Sequence, residues 1–438
     1  MLRIQRDSIA VIGAGVIGCA VACALTAEGR HVVLLDRAAP ATAGASFGNV
    51  GHIATEQVET LPSKRLLLSF WRELFALGGA LDLPLRRVMS LSPWLARFVV
   101  AAFRQEANSR HLAPLVRGAA DSLVRMLAQI GRLDLIRRGG HYAIWLGPNA
   151  AARAAAEATN AGRLGVRTMP ASADLLYSLY AATVASASTA TPATQTIPAA
   201  GLHYPDTAHV LDPAEVARAF ATAAVERGAL IHRAEVKQLK PSAEAIEVIT
   251  TTERLMFNTA VVCAGAWSAP LLAPFGLSTP LEAERGYHVE LPNHPPIVDA
   301  PVVYADEKIV VTPMAGRLRA SSYLELAGLN APPDPRKPAR LRARLRTLGY
   351  HCDTDGPSWM GPRPTLPDYL PGIGRAAGGQ NLFYAVGHQH LGLTLAAPTA
   401  QLIADLIAGR NTPWDISALD LHRFGHARLQ ERRLPPDG

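Results

Sequence analysis

The chain has 438 residues, 49 % hydrophobic and 18 % charged, with 43 Lys and Arg against 36 Asp and Glu. That length suits two domains or one large interleaved pair, and the composition excludes a disordered or fibrous chain. Four cysteines are too sparse for a secreted disulfide scaffold, and no uncharged apolar run approaches the roughly 20 residues that span a bilayer. The chain reads as reduced and intracellular. Its net charge of +7 sits mainly on arginine, in 336–346 and in a basic tail, 426–438. Without interleaved aromatics or a binding motif, this predicts no nucleic-acid partner. A solvated helix face and a frayed tail account for it, with docking on an anionic membrane surface as the alternative.

Arg3 and Arg6, followed by an apolar stretch to Leu25, imitate a signal peptide, but an h-region has no reason to carry glycines at fixed offsets. Residues 8–12 (SIAVI) read as a strand, Val16 to Glu28 as a helix ended by Gly29, and 31–35 (HVVLL) as a second strand closed by Asp36. In that order the glycines have distinct tasks. Gly13 permits the turn, Gly15 lets the backbone approach a pyrophosphate, and Gly18 lets the helix pack closely on the sheet. The helix start at Val16 and Ile17 turns its free N–H groups toward the phosphates. Asp36, followed by Arg37, is placed to accept ribose hydroxyls, and an acid there argues against a 2′-phosphate. The segment predicts dinucleotide binding.

Residues 44–53 (GASFGNVGHI) form an uncharged small-residue loop, with Ala45, Ser46 and Asn49, that can lie against a flat ring system. The stretch 66–138 reads as mostly helical, 141–146 as a strand and 181–200 as a long surface loop. Pro213 opens a helix that ends at Arg227, and 229–239, containing Val236, reads as a strand. Residues 259–263 form another strand, running into Ala264, Gly265 and Trp267 as a second tight backbone approach. Strands at 287–291, 302–304, 308–312 and 317–323 suggest an antiparallel sheet. Residues 359–364 lead back to a strand, 382–386, then to 387–394 (GHQHLGLT) and a helix from 397 to 408.

The fold predicted is α/β and α+β: a Rossmann-like dinucleotide domain (1–90, 211–275 and 355–425) interleaved with an antiparallel-sheet substrate domain (91–210 and 276–354). The second helix N-terminus favours a flavin, whose reduced ring carries negative charge near N1. No second βαβαβ half is present to hold a nicotinamide.

The N-terminal motif, SFGNVGHI, RGYHVEL (285–291), GPRPTLPDYLPGIG (361–374) and GHQHLGLT together resemble the D-amino-acid dehydrogenase branch of the glycine oxidase and sarcosine oxidase superfamily. The resemblance spans nearly the whole chain and is weakest over 60–200. It implies FAD at the junction of the two domains, and oxidation of a C–N bond by hydride transfer from the substrate α-carbon to flavin N5. The arginine of the GxRP segment, Arg363, would pair with the substrate carboxylate through its guanidinium fork. Gly51, His52 and Ile53 would border the ring, Gly361 and Gly387 would flank it, and His390, Leu391, Gly392, Leu393 and Thr394 would meet its pyrimidine end. His52, His288, His388 and His390 would converge on one cavity, with Tyr287 and Tyr323 as further substrate contacts. No general base is assigned, because hydride transfer from a neutral amine needs orientation more than proton removal.

Glycine oxidases carry an arginine near the place of His390, and monomeric sarcosine oxidases a cysteine near the GxRP segment. Neither is present, which predicts noncovalent FAD and weakens a glycine or sarcosine reading. No metal site is predicted. The expected activity is oxidative deamination of a D-amino acid to an imine that hydrolyses to a 2-oxo acid. The alternatives are a secondary amino acid (D-proline, hydroxyproline, an opine), acted on alone or within a complex, and a non-catalytic flavin-binding subunit. The expected electron acceptor is a quinone or other carrier, and the expected location cytoplasmic or peripheral on the inner membrane. Oligomerisation stays open.

Overall fold

The structure, a computed structural model, describes residues 8–187, 198–241, 245–353, 356–377 and 381–425. The basic tail 426–438 lies outside them.

Six strands form the first sheet, in the order Leu230–Arg233, His31–Asp36, Ser8–Ile12, Thr259–Val262, Leu382–Val386, Gly372–Arg375. The first five are mutually parallel and the last is antiparallel. Parallel strands need cover on both faces. One face carries the helices Val16–Ala27, Pro213–Glu226 and Ala396–Ala408, which share one apolar cluster. The other carries a three-stranded antiparallel sheet, Val236–Pro241, Ile246–Thr250 and Arg254–Phe257. The expected single strand over 229–239 is therefore two, serving different sheets.

The helix punctuation is local. Gly15 opens the first helix and Gly29 (φ +74°) follows its end. Asp212 caps the helix behind Pro213 by accepting the N–H groups of Ala214 and Glu215 at 2.9 and 3.2 Å, and Gly409 (φ +67°) ends the last helix.

The second large sheet runs Ser358–Thr365, Glu282–Pro292, Arg317–Glu325, Ile309–Met314, Val302–Tyr304, His141–Leu146, Pro198–Tyr204, Met169–Pro170. All its neighbours on this path are antiparallel except Val302–Tyr304 with His141–Leu146. The GxRP segment is thus an edge strand of this sheet, not a crossover. Helices Leu85–Ala102, Gln105–Arg117 and Ala119–Gln129 fill the expected helical region. The latter two bury Leu112, Val116, Leu123 and Leu127 in the apolar cluster of the first sheet, although the expected boundaries grouped them with the second. Of the surface loop expected over 181–200, residues 181–187 continue the helix Ala173–Ala187 and 198–200 begin a strand.

The arginine-rich helix Arg336–Thr347 is more than a solvated face. Lys337 is fully buried, its Nζ donating to Asp82 Oδ2 (2.6 Å), Glu325 Oε1 (2.8 Å) and Asp334 Oδ2 (2.9 Å). Arg285, also fully buried, pairs with Glu325 Oε2 at 3.0 Å. A charge cluster inside a small domain survives only when each member is paired in this way.

Candidate active site

Between the two large sheets lies a cavity of about 1830 Å³, well above the roughly 300–1,000 Å³ of a drug-sized pocket. At one end is the glycine turn. Gly13 has φ +107°, and a Cβ there would stand 2.4 Å from the Cys263 carbonyl oxygen, while one on Gly18 would stand 1.8 Å from the Gly13 oxygen. Only glycine fits either place. The helix behind Gly15 has no side-chain N-cap, and its Val16 N–H reaches Ser46 Oγ at 3.0 Å. Asp36 accepts the N–H groups of Ala14 (2.7 Å) and Ala38 (2.9 Å), which fixes the carboxylate at the strand end with lone pairs to spare. Arg37 stacks over the Trp267 ring at 4.3 Å, and Val236, Ala264 and Gly265 complete this wall.

Most of the predicted cofactor residues line this one cavity: Gly13, Gly15, Val16, Ile17, Asp36, Arg37, Ala45, Ser46, Asn49, His52, Gly361, Gly387, His390, Gly392 and Leu393 join that wall. Gly18, Gly51, Ile53, Leu391 and Thr394 instead stand behind it. Ile53 and Leu391 belong to the core. Gly51 (φ +79°) makes a turn with its N–H on Asn49 Oδ1 at 2.8 Å. Thr394 Oγ1 accepts the Ala54 N–H at 3.0 Å, which locks the C-terminal turn onto the residue just after the short strand His52–Ile53.

At the other end stands Arg363, one-quarter exposed to the cavity. It lies directly opposite Glu284 across the paired strands. Glu284 is 2 % exposed and accepts the hydroxyls of Thr365 and Tyr369, each at 2.9 Å. Arg363 Nη1 approaches Glu284 Oε1 at 3.6 Å and donates to the Tyr323 carbonyl at 3.3 Å. A Cβ on Gly286 would stand 2.2 Å from Arg363 Nη2, so that glycine makes room for the guanidinium. Sequence reasoning missed both. Glu284 and Gly286 precede and follow the arginine of RGYHVEL, and only the strand register puts them against Arg363.

Of the four predicted histidines, His52, His388 and His390 line the cavity and His288 does not, and burial lowers the pKa of each. His390 Nε2 meets Gln57 Oε1 at 2.5 Å, and its pKa is lowered to about 3 by burial, then by Arg363 and His52. Burial likewise brings His52, His288 and His388 to about 3. His288 holds the Gly48 carbonyl at 2.9 Å and stacks on Trp359. His388 meets Thr399 Oγ1 at 3.0 Å.

The tyrosines are placed otherwise than expected. The Tyr287 hydroxyl donates to Glu325 Oε2 (2.7 Å) and accepts from Arg285 Nη2 (3.1 Å) and the Asp334 N–H (3.0 Å). It belongs to the buried charge cluster and does not line the cavity. Tyr323 lines it, at φ +69°, but its hydroxyl is buried without a hydrogen-bond partner and its ring packs edge-on against Phe75. What it offers Arg363 is its backbone carbonyl.

The dinucleotide end fits FAD on this chain's own geometry: two positions that exclude a Cβ, a helix start whose cap residue, Gly15, brings no side chain, and an anchored acid at the ribose position. The sequence profile of a family described as FAD dependent oxidoreductase matches residues 8–406. The chain is 29 % identical over 430 residues to a D-amino-acid oxidase of Bradyrhizobium diazoefficiens, covering 95 % of this chain and 98 % of that one. It is 30 % identical over 442 residues to D-amino acid dehydrogenase 2 of Pseudomonas aeruginosa, with the same coverage. In fold it resembles the glycine oxidase of Geobacillus kaustophilus, at TM-score 0.71 and 20 % identity, over 95 % of this chain and 98 % of that one. Matched from its first strand into its last long helix, the chain belongs to the FAD dependent oxidoreductase family.

Proposed function

We propose that this protein oxidises a D-amino acid to an imine, released to water as the 2-oxo acid, with noncovalently held FAD. Bound FAD supplies the hydride acceptor. The observation that carries the substrate reading is Arg363: a guanidinium opening into the cavity, backed by Glu284 and the Tyr323 carbonyl. That backing orients the fork toward a substrate carboxylate, and a carboxylate held there leaves the α-carbon to be presented to the ring. His52 and His390 border the same space as imidazoles whose pKa burial lowers to about 3, so both are uncharged and only weakly basic at neutral pH. The substrate amine therefore reacts as the free base, oriented rather than deprotonated by the protein. A non-catalytic subunit would have no use for a carboxylate anchor at that point.

The division of labour follows the two sheets: the parallel sheet and its helices hold the dinucleotide, and the antiparallel sheet presents Arg363. Noncovalent attachment is supported by the cysteines. Cys263 lines the cavity beneath the pyrophosphate turn, its thiol kept protonated by burial, and the Cys352 Sγ is turned to the Arg342 carbonyl at 3.4 Å.

For the electron acceptor we favour a membrane quinone. Leu68, Trp71, Leu85, Met89 and Phe103 are half or more exposed, interleaved with exposed Lys64, Arg65, Arg72, Arg86, Arg97 and Arg104. Lys64 lies over the Phe103 ring at 5.3 Å, so the two segments form one patch. Leu61, Arg65, Phe70 and Val99 carry it to the cavity wall. Apolar side chains ringed by base suit the headgroup layer of an anionic bilayer. No helix among the described residues is long and apolar enough to cross one.

A steady-state screen of D-amino acids, secondary amino acids and glycine tests the reading, run with a quinone analogue, a dye and oxygen in turn. Turnover confined to secondary amines would replace the substrate assignment, and fast turnover with oxygen alone would replace the acceptor.

A further inference from the structure

Among the described residues, two groups of side chains bring three ligand-type atoms within 4.8 Å of one another: Asp82, Glu325 and Asp334, and His52, Glu56 and His141. The first already holds a cation, the Lys337 ammonium, on all three carboxylates. The second holds none. His52 Nε2 and Glu56 Oε2 face each other at 3.7 Å, too far for a hydrogen bond, and each is buried without a partner. The His52 side chain is 8 % exposed. Leaving two buried polar atoms unsatisfied side by side costs a folded protein stability unless something fills the gap between them.

The third member is prepared for that. Thr207 donates its hydroxyl to the Tyr204 carbonyl at 3.1 Å, so its oxygen accepts from His141 Nδ1 at 3.0 Å. That places the His141 proton on Nδ1 and leaves Nε2 with a free lone pair. The ring is further held by stacking on Tyr204, with centroids 4.5 Å apart, and by its edge contact with His52 at 4.4 Å. A second partner fixing tautomer and ring angle is the usual support of a metal-ligating histidine.

We propose that His52, Glu56 and His141 bind a divalent transition-metal ion of the zinc–iron class. Two imidazoles and one carboxylate are a donor set both metals accept. All three residues line the cavity, which gives the ion a path in. His52 begins the short strand His52–Ile53 and Glu56 lies in the turn just after it, while His141 opens a strand of the large antiparallel sheet. The ion clamps one to the other and fixes the His52 ring beside the substrate space.

The test uses FAD-loaded full-length protein, wild type and with Glu56→Gln or His141→Gln, all carrying Cys352→Ser to remove the half-buried thiol outside the cavity. Elemental analysis of the purified protein, then calorimetric titration of chelator-stripped protein with Zn²⁺, and anaerobically with Fe²⁺, should find about one ion per chain. Elemental analysis also tells zinc from iron. Each substitution should weaken binding about tenfold or more at unchanged flavin absorbance. Wild-type protein that takes up neither metal in stoichiometric amount overturns the proposal, whatever the variants do. So does binding that both substitutions leave intact, or a high-resolution structure with a water between His52 and Glu56 in metal-loaded buffer. None of these readouts depends on the substrate, so they stand apart from the D-amino acid assignment.

Discussion

Glu284 and Arg363 face each other across neighbouring antiparallel strands, carboxylate to guanidinium at 3.6 Å, with the acid buried and the base open to the cavity. The asymmetry separates their tasks. Glu284 is satisfied from behind by Thr365 and Tyr369, so it positions Arg363 without absorbing all of its donors.

Replacing Arg363 by alanine should lower kcat/KM about tenfold to a hundredfold or more, since a charge-assisted pair contributes on the order of 1.5–3 kcal/mol and each decade is about 1.4 kcal/mol. Lysine should recover only part, as a point charge without the fork. Flavin content should hardly change. Near-normal turnover per bound flavin, with lost stability, would make Arg363 a purely structural partner of Glu284.

Gly286→Ala offers a subtler probe, because the new Cβ must move the Arg363 guanidinium. KM for the amino acid should rise more than kcat falls, with the ultraviolet circular dichroism of the wild type retained. An unchanged KM would show that substrate does not meet this guanidinium.

Acid precipitation of purified protein should leave intact FAD in the supernatant. Colour retained in the pellet would establish a covalent link and redirect attention to the histidines of the cavity.

Membrane docking is read by co-sedimentation with vesicles. Binding should be strong to anionic vesicles at low salt, weak to zwitterionic ones, and reduced at 0.5 M salt, because screening weakens exposed charges. Leu68→Ser with Trp71→Ser should lower it about tenfold while kcat with a soluble dye stays unchanged. Vesicle binding indifferent to that double substitution would remove the patch from consideration.

Acid stability follows from His288, His388 and His390. Each has its folded pKa depressed from 6.5 to about 3. Below about pH 6.5 the unfolded chain takes up protons that the folded chain refuses, so stability falls as pH drops from there toward 3. The melting temperature should therefore decline steadily over that window, and less steeply in His388→Gln. A flat profile between pH 6.5 and 4 would mean that these rings are not buried neutral.

The dinucleotide half was legible because its signals are local. The offsets of Gly13, Gly15 and Gly18, the terminal Asp36 and the caps at Asp212, Gly29 and Gly409 each act within a few residues of their cause. What escaped depends on partners far along the chain. Tyr287 looks like a site residue until Arg285, Glu325 and Asp334 surround it. Arg336–Thr347 looks solvated until Asp82, some 250 residues earlier, reaches Lys337 (|i−j| = 255). Glu284 acquires its role only through strand register. His52, Glu56 and His141 have no recognisable metal spacing because the third comes from a different sheet.

The hydrogen bond from the Ala54 N–H to Thr394 Oγ1 joins positions 340 residues apart. Its consequence lies in biosynthesis. A nascent chain can form the first strand, glycine turn and helix early, yet the wall that closes over the flavin arrives only when residues 382–394 have left the ribosome. Until then the open half-site exposes the apolar faces that the last helix will cover, and such late closure favours slow folding and calls for protection against aggregation. Loading of FAD should therefore wait for completion of the chain, and a product truncated before residue 382 should behave as a stranded folding intermediate rather than a weakened enzyme.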